Sequence, residues 1–461
     1  MSAGIGFLIL WLSAARGVSD VRVIGNDGPG AGCTLFASPT GKETNSGVSK
    51  EAPKTFAGAA QATRPGSVVC LLPGTSSLSS SFAPPHSGTP DTWIVYRNYD
   101  ERAVEFVWTG PADASPMFKM AGGNFPSNPA YLEFRGLHLD GKGKALDGFF
   151  CMGSHHLRFV DNSIKNTGGA GIASVTCDYL TLDHNTVEHN GYMPAAAGKN
   201  ARFYSWTSGI SLNSNQWFDS RAGFHNIITG NVVTGEVDQS SHHSDGNGII
   251  LDLSNRTYKP KSADTPPVLV VNNVVYGNGG RCLEAYTVTN FWFVNNTCYK
   301  NNLDRSIGKA ASITINNSHS GYVINNIAAV WSGVDLCFAE VNAVANIRYA
   351  SNLCSGNPAG ARHPNSAEIF HDDPLFLHPP YFHPNAARQY AKALAPSMLG
   401  DGLTLQPRSP AIGKGIDPST LFQLPPEIIE DLKKYVYTDI QGRARGGKAF
   451  DLGAYQSSVA P

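Results

Sequence analysis

The side chains best suited to chemistry lie close together in residues 241–255, which read SHHSDGNGIILDLSN. Two histidines, His242 and His243, and Asp245 precede a glycine-rich turn, and a short apolar strand then ends on Asp252. Carboxylates can serve as general acids or bases, and they are also hard oxygen ligands for Ca²⁺. The glycines permit a tight turn and close approach to a ligand. The chemistry open to this segment depends on which other side chains share its surface.

An asparagine recurs at one place in a repeated pattern of short apolar segments and turns rich in Gly, Asn and Asp. Successive occurrences are 23, 46, 42, 23, 30 and 26 residues apart. A 23-residue unit explains two of these gaps, 46 equals two such units, 42 falls slightly short of two, and the other gaps carry small insertions. One such unit cannot bury its apolar face alone, whereas a stack buries a continuous core. The pattern predicts an all-β fold, a right-handed parallel β-helix whose asparagines form a hydrogen-bonded ladder. The asparagines are Asn162, Asn185, Asn231, Asn273, Asn296, Asn326 and Asn352.

A second motif, Gly-apolar-x-apolar or a close variant, begins seven segments that we align as one parallel sheet. Because side chains alternate across a strand, two columns of each segment face outward. The middle rungs then carry acids, hydroxyls and amides together, which suits binding of sugar hydroxyls. The first outward column is Phe150, Ala173, Ser211, Ile250, Glu284, Thr314 and Cys337. The second is Met152, Val175, Asn213, Asp252, Tyr286, Asn316 and Ala339.

Two terminal regions resemble the pectate-lyase-like β-helix superfamily: residues 33–75, with SPTG and PGSVVCLLPGT, and the segments DDPLF, PRSPAIGKGID and DIQGRARGGKAFDLGAYQ. The resemblance implies a short N-terminal capping helix and a single domain over residues 19–461. The repeat core would span about 130–355 and the closing segment about 366–458. It also implies that the aligned sheet and its loops form a polysaccharide groove. Because the superfamily includes lyases, hydrolases, epimerases and non-catalytic proteins, the fold does not select an activity.

The favoured activity is β-elimination from a uronic-acid-containing polysaccharide. That reaction needs the C5 carboxylate neutralised, by Ca²⁺ or arginine, and a base at C5. Asp245, Asp252 and Glu284 are the predicted ligands of a Ca²⁺ cofactor. The predicted base is Arg281 or Lys309, in the manner of β-helix lyases, and Tyr286 and His243 are the alternatives. The residues predicted to bind substrate are Ser211, Asn213, His242, His243, Asn316, Tyr204 and Trp206.

Three other interpretations remain open. Asp252 and Glu284 lie one strand and two residues apart, or roughly 8 Å. That separation suits an inverting glycoside hydrolase, whose carboxyl groups are about 6.5–9.5 Å apart. A non-catalytic carbohydrate-binding or surface β-helix is a further possibility. Finally, His242, His243 and the two aspartates nearby are residue types that bind a transition-metal ion.

Composition bounds the location and partners of the protein. The net charge of −1 and the lack of a Lys/Arg-rich run exclude an electrostatic case for nucleic acid. The apolar stretch at residues 5–12 is too short to span a bilayer, and residues 1–18 resemble a signal peptide. We therefore expect a secreted or extracytoplasmic monomer without a membrane span, acting on an acidic polysaccharide. Eight cysteines allow up to four disulfides, whose pairing the sequence leaves open.

Overall fold

Parallel strands wind into a right-handed parallel β-helix, as the repeat predicted. The stacked strands run from Leu35 to His371 and extend on both sides of the predicted repeat core. None of the helices in the described part of the chain has the length and apolarity needed to cross a bilayer. The predicted signal peptide lies outside the described residues. The computed structural model describes residues 32–192, 206–240, 242–253, 265–307, 311–333, 335–357, 361–362, 369–382, 402–421, 423–445 and 450–458.

Three parallel sheets enclose the core, and each rung of the helix contributes one strand to each sheet over most of its length. The first sheet contains β1 (Leu35–Ala37), β2 (Val68–Leu71), β4 (Ile94–Asn98), β7 (Leu132–Arg135), β10 (His155–Val160), β13 (Asp178–Asp183), β16 (Asn226–Thr229), β19 (Val268–Val271), β22 (Thr289–Val294), β25 (His319–Ile324) and β28 (Ala345–Ala350). The second contains β3 (Gly74–Leu78), β5 (Val104–Trp108), β8 (Leu137–Asp140), β11 (Ser163–Lys165), β14 (Thr186–Glu188), β17 (Val232–Thr234), β20 (Val274–Tyr276), β23 (Thr297–Tyr299), β26 (Ile327–Ala329), β29 (Asn352–Ser355) and β31 (Ile369–His371). The third contains β6 (Phe118–Met120), β9 (Phe149–Met152), β12 (Ile172–Val175), β15 (Ile210–Asn213), β18 (Ile249–Asp252), β21 (Leu283–Tyr286), β24 (Ala311–Asn316), β27 (Leu336–Val341) and β30 (Ala361–Arg362).

Two helices cover apolar surface of the stack. The predicted capping helix is α1 (Phe56–Gln61), whose Thr55 side chain accepts a hydrogen bond from the Gly58 N–H and whose Phe56 ring packs against the core. The sequence did not predict α2 (Pro426–Val436), which follows a 3₁₀ turn at Pro418–Thr420. Its buried residues Ile428, Leu432 and Val436 pack on the outer face of the first sheet. A second 3₁₀ turn spans Arg305–Ile307.

The predicted asparagine ladder is confirmed. Six bonds link the seven positions: the Nδ2 of each of the first six donates to the Oδ1 of the asparagine on the next rung at 3.0 Å. The same Oδ1 also accepts the backbone N–H of the preceding ladder residue, so every member is tied to two rungs. The prediction that the gaps of 46 and 42 residues hold two units was wrong, because β13, β16 and β19 are direct neighbours and each gap is one rung with a long loop. A second buried ladder, which the sequence did not predict, runs through Thr167, Asn190, Glu236, Asn278 and Asn301.

All eight cysteines form disulfides. Two of these link the entry of a third-sheet strand to an inward position of the second sheet at equivalent places two rungs apart. Disulfides persist in oxidising compartments, which supports the predicted secretion. The pairs are Cys33–Cys70, Cys151–Cys177, Cys282–Cys298 and Cys337–Cys354.

The predicted alignment of the third sheet is confirmed from β9 to β24. Ser211 pairs with Ile250, which pairs with Glu284, and Asp252 pairs with Tyr286. The alignment of the last predicted segment was wrong by two residues, because Thr314 pairs with Ala339 and not, as predicted, with Cys337. A shift of two keeps the same face outward, so the alternation of side chains cannot detect it.

Cys337 was predicted to face outward in the first column, but the shift moves it to the entry of the strand, the position that Cys282 occupies two rungs earlier. It is instead buried and bonded to Cys354. The outward residues of that rung are Ala339 and Val341, which pair with Thr314 and Asn316. The polar columns therefore end at β24, because the outward residues of β27 are apolar.

We predict that Asn231→Ala destabilises the protein by about 3 kcal/mol or more, because it leaves several buried polar groups without partners at about 1–3 kcal/mol each. The Asn231 side chain bonds Asn185, Asn273, Leu182 and Thr229. Thermal and urea unfolding followed by circular dichroism would measure the change.

The matched control for that substitution is Asn124→Ala, since Asn124 is exposed on a loop outside the ladder. We expect its unfolding midpoint to match that of the unchanged protein. Equal midpoints for both variants would show that the ladder contributes no net stability.

Candidate functional site

The outer face of the third sheet forms a wall of a cavity of about 740 Å³, named here the third-sheet cavity. Two outward columns of the sheet and the loops that precede its strands supply the lining. Concave surfaces of this size with a few convergent polar groups are the usual form of ligand sites. The lining residues are Leu146, Asp147, Phe150, Ala170, Ala173, Ser174, Val175, Trp206, Thr207, Ser211, Asn213, Ser244, Asp245, Ile250, Asp252, Leu253, Arg281, Glu284, Tyr286 and Asn316.

Most residues predicted for the site line this cavity. Tyr204 and Lys309 lie outside the described residues, so their predicted roles stay predictions. His242 and His243 lie beyond the lining. The predicted residues that the cavity brings together are Ser211, Trp206, Asn213, Asp245, Asp252, Arg281, Glu284, Tyr286 and Asn316.

Asp252 sits half-buried at the end of β18, where the pleat directs it outward. Its Oδ2 accepts a hydrogen bond from the Asn213 Nδ2 at 3.0 Å on the preceding rung. Burial, and secondarily the nearby charge of Glu284, raises the pKa of Asp252 to about 7. Burial and the same neighbour raise the pKa of Asp245 to about 7 as well. Both carboxyl groups are therefore protonated in weakly acidic solution.

Glu284 is the more deeply buried acid, with 4% of its surface exposed. Its Oε2 accepts hydrogen bonds from the Arg281 Nη1 at 3.2 Å and from the Asn247 Nδ2 at 3.2 Å. Burial raises the pKa of Glu284, and the positive charge of Arg281 opposes that rise. The ion pair holds the guanidinium in the wall of the cavity.

The amide of Asn247 lies between two of the three predicted Ca²⁺ ligands. Its Nδ2 is 3.2 Å from the Oδ1 of Asp245 and 3.2 Å from the Oε2 of Glu284. An amide NH₂ donates hydrogen bonds, so it stands where a cation shared by these carboxylates would have to lie. Within the described residues, no three Asp, Glu, His or Cys side chains converge as metal ligands. This arrangement does not fit Ca²⁺ bound by the predicted set, and the cofactor stays a prediction.

The two histidines of the opening segment are engaged outside the cavity lining. The Nδ1 of His243 is 3.0 Å from the Oδ2 of the buried Asp304. The ring of His242 stacks on Trp206 with centroids 4.4 Å apart. Because Trp206 is 61% exposed at the edge of the cavity, this pair forms an aromatic surface at its rim. Aromatic faces of this kind can pack on sugar rings.

Asp147 and Asn247 are site residues that the sequence analysis missed. Each one immediately precedes the glycine that opens a third-sheet strand, as Ser208 precedes Gly209. That position is the entry edge of the sheet, and Arg281 occupies it on the next rung. The signal was therefore present as a third column, two residues before each strand, that the alternation argument did not consider.

Comparison with known proteins shows likeness in structure alone. No protein-family model matches this sequence, and no curated protein matches it in sequence. The crystal structure of pectate lyase Pel9A matches with a TM-score of 0.51 and 17% identity, over 92% of this chain and 96% of that chain. An alginate lyase from Paenibacillus sp. str. FPU-7 matches with a TM-score of 0.38 and 13% identity, over 68% and 94%.

A GH136 lacto-N-biosidase from Eubacterium ramulus matches with a TM-score of 0.43 and 11% identity, over 74% of this chain and 67% of that chain. At these identities the likeness concerns the path of the backbone. The resemblance to the pectate-lyase-like superfamily is therefore confirmed at the level of the fold: this chain is a parallel β-helix like pectate lyase Pel9A.

Proposed function

We propose that this protein is a polysaccharide-active enzyme, and more narrowly a lyase that cleaves a uronic-acid-containing polysaccharide by β-elimination in the third-sheet cavity. The observation that carries the proposal is the position of Arg281, an ion-paired guanidinium in a cavity wall beside carboxyl groups with a pKa near 7. Arg281 is the sole Lys or Arg among the described lining residues.

Electrostatics explains how such an acidic cavity could admit a polyanion. Below pH 7, Asp245 and Asp252 are protonated and do not repel a uronate. A guanidinium presents five N–H donors, and the contact with Glu284 uses Nη1, so other donors remain for a substrate carboxylate. Arg281 can neutralise that carboxylate, and a protonated Asp252 can donate a hydrogen bond to it.

Neutralising the carboxylate makes the C5 proton more acidic, because the charge that develops in the transition state is stabilised. A base then removes this proton, the C4–O4 bond breaks, the leaving O4 takes up a proton from solvent, and a C4–C5 double bond forms. Tyr286, which pairs with Asp252 in the sheet and lines the cavity, is the candidate base among the described residues. Lys309 remains the other predicted base. In this proposal Glu284 positions Arg281, and no step goes through Ca²⁺.

Hydrolysis is the second candidate, favoured by the confirmed alignment of Asp252 and Glu284. One strand step and two residues separate them, roughly 8 Å. That spacing suits an inverting pair, in which a carboxyl with a raised pKa protonates the leaving oxygen. Asp252 would be the acid and Glu284 the base. The contact between Glu284 and Arg281 argues against it, since the Oε2 that would accept a proton from water already accepts hydrogen bonds from Arg281 and Asn247.

The substitution Asp252→Asn separates the two activities. In a lyase, Asp252 acts while it is neutral, and a neutral amide should keep the elimination rate within about tenfold of the unchanged enzyme. In a hydrolase, removing the general acid should lower the rate by about 10²–10⁴. We expect the first outcome, with products that absorb in the ultraviolet because of the C4–C5 double bond.

That measurement uses pectate, alginate, chondroitin, hyaluronan and glucuronan, each with and without EDTA. We expect elimination to survive EDTA, since Arg281 carries the neutralising charge. New reducing ends without ultraviolet absorbance would contradict the lyase proposal and support hydrolysis. Absorbance that disappears in EDTA would restore the predicted Ca²⁺ and contradict the metal-free route.

The pH dependence follows from the raised pKa of the two aspartates. As pH rises through about 7, Asp245 and Asp252 ionise and repel the anionic substrate, so kcat/KM should fall. In Asp252→Asn the part of this fall due to Asp252 should disappear, which a pH profile of kcat/KM would show. An unchanged alkaline limb in the variant would contradict the assignment. Ser163→Ala, on the outer face of the second sheet, is the control and should keep the parent profile.

A further inference from the structure

The third-sheet cavity has two halves with different chemistry. At the end formed by β9 and β12, the outward side chains that line it are Phe150, Ala173 and Val175, all apolar. At the other end, formed by β18, β21 and β24, the lining is rich in carboxyl, amide and phenol groups. Four strand steps of about 4.8 Å separate β9 from β21, so the two ends lie about 19 Å apart. A chain of several sugars can therefore contact both halves at once.

The apolar half carries no positive charge among its described lining residues. Its single ionisable side chain there is Asp147, whose Oδ1 accepts the Ala170 N–H at 2.8 Å. Burial raises the pKa of Asp147 to about 7, so it is neutral or negative and never positive. A uronate placed against this half would lose hydration without gaining a counter-charge, which is unfavourable. Among the described lining residues, a polymer with a carboxylate on every sugar thus finds a counter-charge in one half of the cavity only.

We propose that the substrate is a heteropolymer in which the uronate is linked to an uncharged sugar bearing a methyl group, and that Phe150, Ala173 and Val175 bind that sugar. This inference rests on the proposed function, because it assumes that the uronate lies beside Arg281. The methyl group belongs to an acetylated sugar or to a 6-deoxy sugar, since both present the same small apolar surface. The half-buried Ala173 and Val175 leave room above the sheet for such a group.

The contrast with the polar half makes the assignment specific. Asn213, Asp252 and Tyr286 occupy the same column as Val175, one to three rungs further along. Likewise Glu284 stands in the column of Ala173. The backbone geometry is the same on each of these rungs, but the outward residue type differs. Neighbouring sugars of a bound chain therefore contact different side chains. A strictly alternating or mixed chain satisfies this pattern.

The test measures binding of polymers to the full chain by affinity electrophoresis at pH 6. Hyaluronan supplies an N-acetylated sugar, and a polymer alternating galacturonate with 6-deoxyhexose supplies the other source of methyl groups. Pectate and glucuronan are the homopolymers. We expect at least one heteropolymer to bind about tenfold or more tightly than either homopolymer, a difference of about 1.4 kcal/mol. The heteropolymer that binds more tightly shows whether the methyl group belongs to an acetylated sugar or to a 6-deoxy sugar.

The substitution Ala173→Arg should reverse this preference, since it places a positive charge where the homopolymer has its second carboxylate. We expect binding of pectate or glucuronan to rise and binding of the preferred heteropolymer to fall, each by roughly tenfold. The matched control is Ser163→Arg, which adds the same charge to the same rung on the outer face of the second sheet. The control should leave the preference unchanged.

The outcomes separate this inference from the proposed function. Homopolymers bound as tightly as heteropolymers, or no retention of any polymer, would overturn the inference. Elimination from homopolymers at the higher rate would overturn it too, while leaving the lyase intact. Preferential binding of a heteropolymer without ultraviolet-absorbing products would support the assignment of the two halves to different sugars and would contradict the lyase activity.

Discussion

The alignment between successive rungs is the constraint on which the rest of this structure depends. In a parallel stack, a slip of one residue turns every outward side chain into the core. Such a slip at β18 or β21 would bury Asp252 or Glu284 and expose apolar neighbours. The asparagine ladder resists it, because each side chain bonds the main chain and the asparagine of the next rung in one arrangement. The cavity is thus a consequence of hydrogen bonds on another side of the helix.

The sequence predicted what depends on period and alternation. The Gly-apolar motif and the alternation of side chains predicted that Asp252 lies beside Tyr286 and Glu284 beside Ile250, and both pairings are confirmed. The same reasoning failed at β27, where a shift of two residues preserves every face. It also treated Cys337 as an outward residue, because a single thiol gives no sign of its partner. Periodicity thus predicts the face of the sheet on which a residue lies more reliably than it predicts the residue paired with it on the adjacent strand.

What the sequence could not predict are contacts between segments distant in the chain. The pairing of His243 with Asp304 joins two loops 61 residues apart and takes that imidazole out of the cavity lining. Helix α2 packs on the first sheet through apolar residues. Their amphipathic spacing does not indicate which surface they cover. Asn247 was visible in the opening segment, but its position between Asp245 and Glu284 follows from the loop conformation. The contacts of Asn247 with the site carboxylates come from such a loop, which explains why the fold was more predictable than the chemistry.

Buried carboxyl groups with a raised pKa occur both inside the stack and in the third-sheet cavity, and the two environments differ. Glu236 takes the place of an asparagine in the second ladder, where its Oε1 accepts the Asn190 Nδ2 at 3.1 Å away from the cavity lining. Its burial follows from its position inside the stack, and its pKa is raised for that structural reason. Asp245 and Asp252 lie at the outer side of a sheet, where water could solvate them if no loops enclosed the space. Enclosing outward acids destabilises the ionised protein. Carboxyl groups perturbed in this way in a cleft mark a candidate functional site, which the internal position of Glu236 does not.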